Sequence, residues 1–420
     1  MRAHPDFRSP AFLRRHAHEI MAFYDGRCVD PSGGFFHYYK DDGRVYNPSR
    51  RHLLSSAGFI TTHARMLQHF PDDAQAEVWR RSMNHGLAFL EHVHRDPHTG
   101  GYAWTLEWHE HRKTVVDGTQ YTIGLAHVLM AHAHAMLAGF EASRPRLQAV
   151  FDLLEKHVFD PATGLYSPGA RASVESWQPD DSYQQPSANM HVCQALMVAF
   201  SATGDEHLLQ RAAQVAETIC MHLAPRTGGL IWDHYLANWT PDLNHPGDFD
   251  VRTRPWGYQI SDQLQWARLL LQIDQDLSSE VSQNELHPLA QRAKELFALS
   301  TRLGWDRSHD GLAQGLGLDH QVCDATRHHT ALAEALCAAA LLGQQTASGA
   351  YWDWYDRLWS FAWKHFIDPK HGGWWRALNG SNHKISDDKS PAGKVDLVNL
   401  SACLDILEAF ETQTIPGALT

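Results

Sequence analysis

A short turn that returns six times constrains this chain more than any other feature. Its copies start at Asp30, Asp96, Asp160, Ala224, Asp306 and Asp368. The full form is Asp30-Pro31-Ser32-Gly33-Gly34-Phe35, or Asp368-Pro369-Lys370-His371-Gly372-Gly373-Trp374. Pro stops the preceding helix, and Gly supplies a positive φ. The intervals run about 62–66 residues, except the fourth, which is longer by about 17 and reads as one inserted loop. Amphipathic helices precede most turns. Leu147, Val150, Phe151, Leu154 and Val158 share one helical face and give one example, and Leu358, Phe361, Ala362, Trp363, Phe366 and Ile367 give another. Between turns lie segments that are apolar nearly all round: 123–131, 190–200, 264–273 and 330–342. Two helices per repeat predict a dozen helices, six inside and six outside, closed into an all-α (α/α)6 barrel. One domain spanning 1–420 is expected, with the turns at one end and a pocket mouth at the other. An open solenoid is the competing architecture, but it would carry polar capping repeats.

Charge and composition narrow the partners. A formal net charge of −12 opposes a nucleic-acid or anionic-membrane partner. No apolar run approaches a membrane span, and no apolar stretch follows Arg2 as a secretory signal would require. A cytoplasmic location is the natural expectation. The cysteines are scattered, with no CxxC pair, and read as buried thiols. The 30 histidines invite a metal. Their spacing does not: His132 and His134, or His109 and His111, lie two apart on expected helices and face different ways. Neither a metal nor a cofactor is expected.

The inner segments carry motifs. They include Arg51-His52-Leu53-Leu54-Ser55-Ser56, Asn189-Met190-His191-Val192-Cys193, Ile231-Trp232-Asp233-His234-Tyr235 and Arg254-Pro255-Trp256-Gly257-Tyr258-Gln259. Ala333-Glu334-Ala335, Gly372-Gly373-Trp374-Trp375 and Lys394-Val395-Asp396 follow in order. In these the chain resembles the N-acylglucosamine 2-epimerase superfamily, especially its mannose isomerase and aldose–ketose isomerase branch. The resemblance covers nearly the whole length. It implies an (α/α)6 barrel that opens an unphosphorylated hexose, removes the C2 proton and forms an enediolate. Reprotonation then gives a ketose or the C2 epimer. The implied partner is a small sugar or sugar-like molecule, bound by a monomer or homodimer.

His191 matches a family active-site histidine. Elsewhere the reactive positions change: the resemblance sets Asp262 where a catalytic His is expected, Gln265 for Glu, Val398 for a second His, Gly58 for Arg and Ile123 for Tyr. The candidate catalytic residues are therefore His191, Asp262 and Glu334. Arg51, Trp177, Asn189, Arg254, Trp256, Gln265, His328 and Trp374 are candidate sugar contacts, and His109 and His329 are further histidines within reach. Each has a plainer reading. His191 would be a satisfied core histidine, and Asp262 a helix N-cap unless Ser261 takes that role. Glu334, among Ala and Leu, would need an ion-pair partner. Arg254 would be structural. A carboxylate with His191 also suits a hydrolase or lyase on the same barrel, and a non-catalytic sugar-binding protein is the third reading.

Overall fold

The computed structural model describes residues 4–180, 182–245, 255–277 and 288–413. Twelve α-helices lie among them. They are α1 (Pro10–Ala22), α2 (Leu53–His69), α3 (Ala76–Phe89), α4 (Thr122–Leu137), α5 (Arg144–His157) and α6 (Pro186–Thr203). The second half holds α7 (Glu206–Glu217), α8 (Ile260–Leu277), α9 (Pro288–Gly304), α10 (His329–Thr346), α11 (Gly349–His365) and α12 (Leu397–Gln413). The even helices pack each on the next, from α2 round to α12, and α12 returns to α2. The odd helices form an outer ring: α3 backs α2, α5 backs α4, α7 backs α6, α9 backs α8, α11 backs α10, and α1 backs α12. This closure makes the chain an (α/α)6 barrel rather than an open solenoid.

The two rings differ as their sequences require. In α4, buried residues fall on every face. In α7 they form one stripe of Leu208, Leu209, Ala212, Val215 and Ala216. The repeated turn is a small hairpin. The Asp side chain accepts the N–H two residues on in five copies, at Ser32, His98, Ala162, Ser308 and Lys370. Ala224 has no such oxygen, and a 3₁₀ turn over Ala224–Thr227 replaces the hairpin there. Every copy has at least one glycine with positive φ: Gly33 and Gly34, Gly100, Gly164, Gly228 and Gly229, Gly311, and Gly372 and Gly373.

Two expectations are corrected. The turns and the pocket mouth share one end of the barrel. Each turn follows an outer helix and leads through short strands to the start of the next inner helix, so the two cannot lie at opposite ends. Amide side chains pin them together: Gln120 accepts from the Tyr102 N–H, Asn189 from Tyr166 and Gln263 from Ile231. The second correction concerns His109 and His111. They sit on a hairpin, Thr105–His109 with Arg112–Asp117, not on a helix. Glu110 and His111 adopt positive φ, which a helix does not accept. The longer fourth interval contains residues 246–254 and 278–287, outside the described residues.

Candidate active site

Inner helices expose to the axis the one stripe of each that faces inward, every third or fourth residue. Near the helix starts these stripes enclose a cavity of about 200 Å³. His127 comes from α4, His191 and Gln194 from α6, and Asp262, Gln265 and Arg268 from α8. Thr330 and Glu334 reach it from α10, and Val398, Ser401 and Asp405 from α12. At ~30 Å³ per water, such a space holds about seven waters, or one monosaccharide ring in their place.

Asp262 is not a cap. It is the third residue of α8, half-buried, and its Oδ1 accepts a hydrogen bond from Ser261 Oγ at 3.0 Å. Burial pushes its carboxyl up to about 7, helped by the negative charges of Asp233 and Glu334 and opposed by the Ser261 bond. Asp233 itself is committed elsewhere. It holds the first turn of α6 by accepting from the Ser187 N–H at 2.7 Å and the Ser187 hydroxyl at 3.0 Å.

His191 is also half-buried, and its Nδ1 finds no hydrogen-bond partner. Burial, then the Arg268 charge, lowers it to about 4, so the ring is neutral at pH 7. His127 lies beside it, with ring centroids 5.3 Å apart. Burial and the neighbouring His191 lower His127 to about 3. Two neutral imidazoles therefore face the cavity.

The floor is ionic. Arg268 Nε donates to Glu334 Oε2 at 2.6 Å and Nη2 to Oε1 at 3.3 Å, while Nη1 donates to Gln272 at 2.9 Å. Both carboxylate oxygens of Glu334 are thus engaged, which makes it the counter-ion of Arg268 rather than a free acid. The Glu334 charge also raises the Arg268 guanidinium further. Gln265 Nε2 donates to Gln194 Oε1 at 2.9 Å, leaving the Gln194 amide N–H groups for a ligand.

Several sequence candidates lie elsewhere. Arg51 is fully buried, paired with Asp30 of the first turn and donating to the Pro48 carbonyl at 2.6 Å. Asn189 is a clamp: its Oδ1 accepts from Tyr166 N–H and its Nδ2 donates to Tyr166 O, both at 2.8 Å. Gln263 repeats that clamp one repeat later. Trp374 is core and donates to His16 Nε2 at 2.9 Å. Trp177 is buried against the His157 ring, 4.4 Å between centroids. Trp256 packs edge-on to Trp232, and His328 stands before α10; neither lines the cavity. His109 is exposed beside Glu110, and His329 is buried against Asn399 Oδ1 at 2.6 Å. Arg254 lies outside the described residues. No group of three or more His, Cys, Asp or Glu among the described residues could hold a metal ion.

Sequence reasoning passed over His127 and Arg268. Both continue inward stripes: Asp262, Gln265 and Arg268 step by three, and His127 and His134 by seven, on otherwise apolar helices. Gly58, where the resemblance expects an Arg, has no room for one. A Cβ there would meet Val395 Cγ2 at 2.7 Å. The cavity's cation comes instead from α8.

The family model for N-acylglucosamine 2-epimerase (GlcNAc 2-epimerase) matches residues 34–403. The chain belongs to the N-acylglucosamine 2-epimerase family. Within this family it is similar to a D-mannose isomerase of Marinomonas mediterranea, 36% identical over 410 residues, covering 97% of this chain and 99% of that one. A crystal structure of a D-mannose isomerase superposes with a TM-score of 0.89 at 35% identity, over 97% of this chain and all of that one. The cellobiose 2-epimerase of Bacillus thermoamylovorans B4167 shares the fold, with a TM-score of 0.79 at 13% identity, over 96% of this chain and 100% of that one. The family and these relatives make the chain a sugar isomerase or epimerase.

Proposed function

We propose that the chain is an aldose–ketose isomerase that interconverts D-mannose and D-fructose, with Asp262 as the base. The observation that carries this reading is the pairing of Asp262, raised to about 7, with a neutral His191 on one cavity. End-to-end similarity to D-mannose isomerases supports the substrate. A carboxylate moved towards neutrality beside an imidazole kept unprotonated suits enediol chemistry. The first accepts a carbon-bound proton, and the second donates an N–H to the carbonyl without giving up a full charge.

In the open-chain aldose, ionised Asp262 takes the C2 proton. The C2–H electron pair becomes the C1–C2 double bond, and the carbonyl pair moves onto O1. His191 passes its N–H proton to O1 as it takes the O2 proton on its other ring nitrogen, so the ring stays neutral overall and the C2–O2 bond becomes the ketone. Asp262 returns its proton to C1, and both side chains regain their starting charges. The Gln194 amide N–H groups, not spent on Gln265, donate to the oxygen on which negative charge develops. His127 adds a second ring donor for the sugar hydroxyls.

Incubation with D-mannose in deuterated water tests this. Fructose carrying deuterium at C1 is expected. Absence of both fructose and C2 exchange, over mannose, glucose and other free hexoses, would overturn it.

A further inference from the structure

The barrel is hollow from both ends. Below the Arg268–Glu334 floor, at the ends of the inner helices, lies a second cavity of about 490 Å³. It exceeds twice the volume of the first and falls in the range of small-molecule sites, roughly 300–1,000 Å³. Gln194, Arg268 and Asp405 line both cavities, so one layer of side chains divides them.

The lower cavity is a built polar site. His134 is 8% exposed, and its Nδ1 has no hydrogen-bond partner. Arg65 is 6% exposed, and its Nε has none either. Both atoms are covered by protein, so they belong to the polar packing around the cavity rather than to its open wall. Gln68, Gln272 and Gln275 add amides. The lining's charge selects the class of occupant. Arg65 is neutralised by Asp405 at 2.5 Å, and Arg268 by Glu334 at 2.6 Å. The other charged lining residues, Asp276 and Glu408, are acidic, so an anion is disfavoured there, and an apolar ligand would leave the Gln68, Gln272 and Gln275 amides without partners. A neutral molecule with many hydroxyls, each able to donate and accept, satisfies both conditions.

We propose that the lower cavity is a second binding site, for a monosaccharide or alditol, separate from the reaction cavity and sharing its dividing wall. Mannitol, which has no carbonyl to isomerise, is the probe. Ser201 on α6 and Gln68 on α2 both line the lower cavity and not the upper. The Ser201→Trp variant fills it from one wall, and Gln68→Trp from another. Titration calorimetry of the full chain should show one equivalent of mannitol lost in each variant relative to wild type. Mannose turnover should stay within about twofold. Far-ultraviolet circular dichroism identifies a variant that fails to fold, in which case the other decides. Unchanged stoichiometry in a folded variant, or no mannitol bound by wild type, would overturn the proposal. The titration does not depend on turnover, so failure of the isomerase reading would show separately, as absent fructose.

Discussion

Replacing Asp262 with Asn should make the protein more stable and less active, and the stability gain should depend on pH. Burial lifts the Asp262 carboxyl to about 7 in the folded chain, against an ordinary 3.8. Because the folded value is the higher one, its contribution to stability is complete below about 3.8 and is lost as pH rises to about 7. The whole rise, at ~1.4 kcal/mol per tenfold, amounts to about 4 kcal/mol. An Asn stays neutral and escapes this loss. With an unfolding entropy of roughly 2.1 cal/mol/K per residue, the 420-residue chain gains about 1 °C in Tm per kcal/mol. Asp262→Asn should therefore melt about 4–5 °C above wild type at pH 8, but only about 1 °C above it at pH 4.5. Differential scanning fluorimetry across that range measures the difference. In parallel, kcat should fall by about 10²–10⁴-fold, and the rise of kcat/KM through about pH 7 should vanish. A Tm difference that does not change with pH, or an Asn variant that keeps the rise through pH 7, would refute the assignment of a buried, upshifted base.

Glu334→Gln removes a negative charge near Asp262 and should shift the kcat/KM inflection to lower pH, read from a pH–rate profile. Arg268→Met leaves Glu334 buried and unpaired and should cost about 3–5 kcal/mol in urea unfolding. The double variant Arg268→Met with Glu334→Leu should recover most of that loss. Asn189→Ala breaks a turn clamp and should lower stability by about 1–3 kcal/mol, with kcat within a few-fold of wild type. His127→Phe should lower kcat while leaving the pH inflection in place, as steady-state kinetics from pH 5 to 9 would show.

The fold was legible because its signal is periodic. A turn with fixed chemistry recurs, and between its copies the helices alternate between one buried stripe and burial all round. What one repeat left ambiguous, five others settled. The site is read differently because its members are single residues. Asn189 and His191 lie two apart on α6 and look alike in sequence, yet one clamps Tyr166 and the other faces the cavity. Arg51, in the short strand Arg50–His52, and Trp374, at the end of the sixth turn, lie where a large polar or aromatic side chain serves local packing as readily as a ligand. Motif position favoured them, whereas the helical phase of Asp262, Gln265 and Arg268 pointed to the axis. The replacement of Arg by Gly58 reads as a loss in one dimension. In three, Val395 occupies that space and Arg268 arrives from another helix.

The return of α12 to α2 also bears on how the molecule reaches its native state. Each hairpin contacts the next along the chain, so the helices can assemble in order through short-range encounters, as in a solenoid. Only the last step, docking α12 onto α1 and α2, joins distant parts of the chain. Until then the growing arc ends in two apolar edges open to other molecules, which makes the unclosed arc the species most prone to aggregate. It also lacks Val398, Ser401 and Asp405, so the arc can be helical yet incapable of turnover. During refolding, activity should appear in step with ring closure and after helical content has largely recovered.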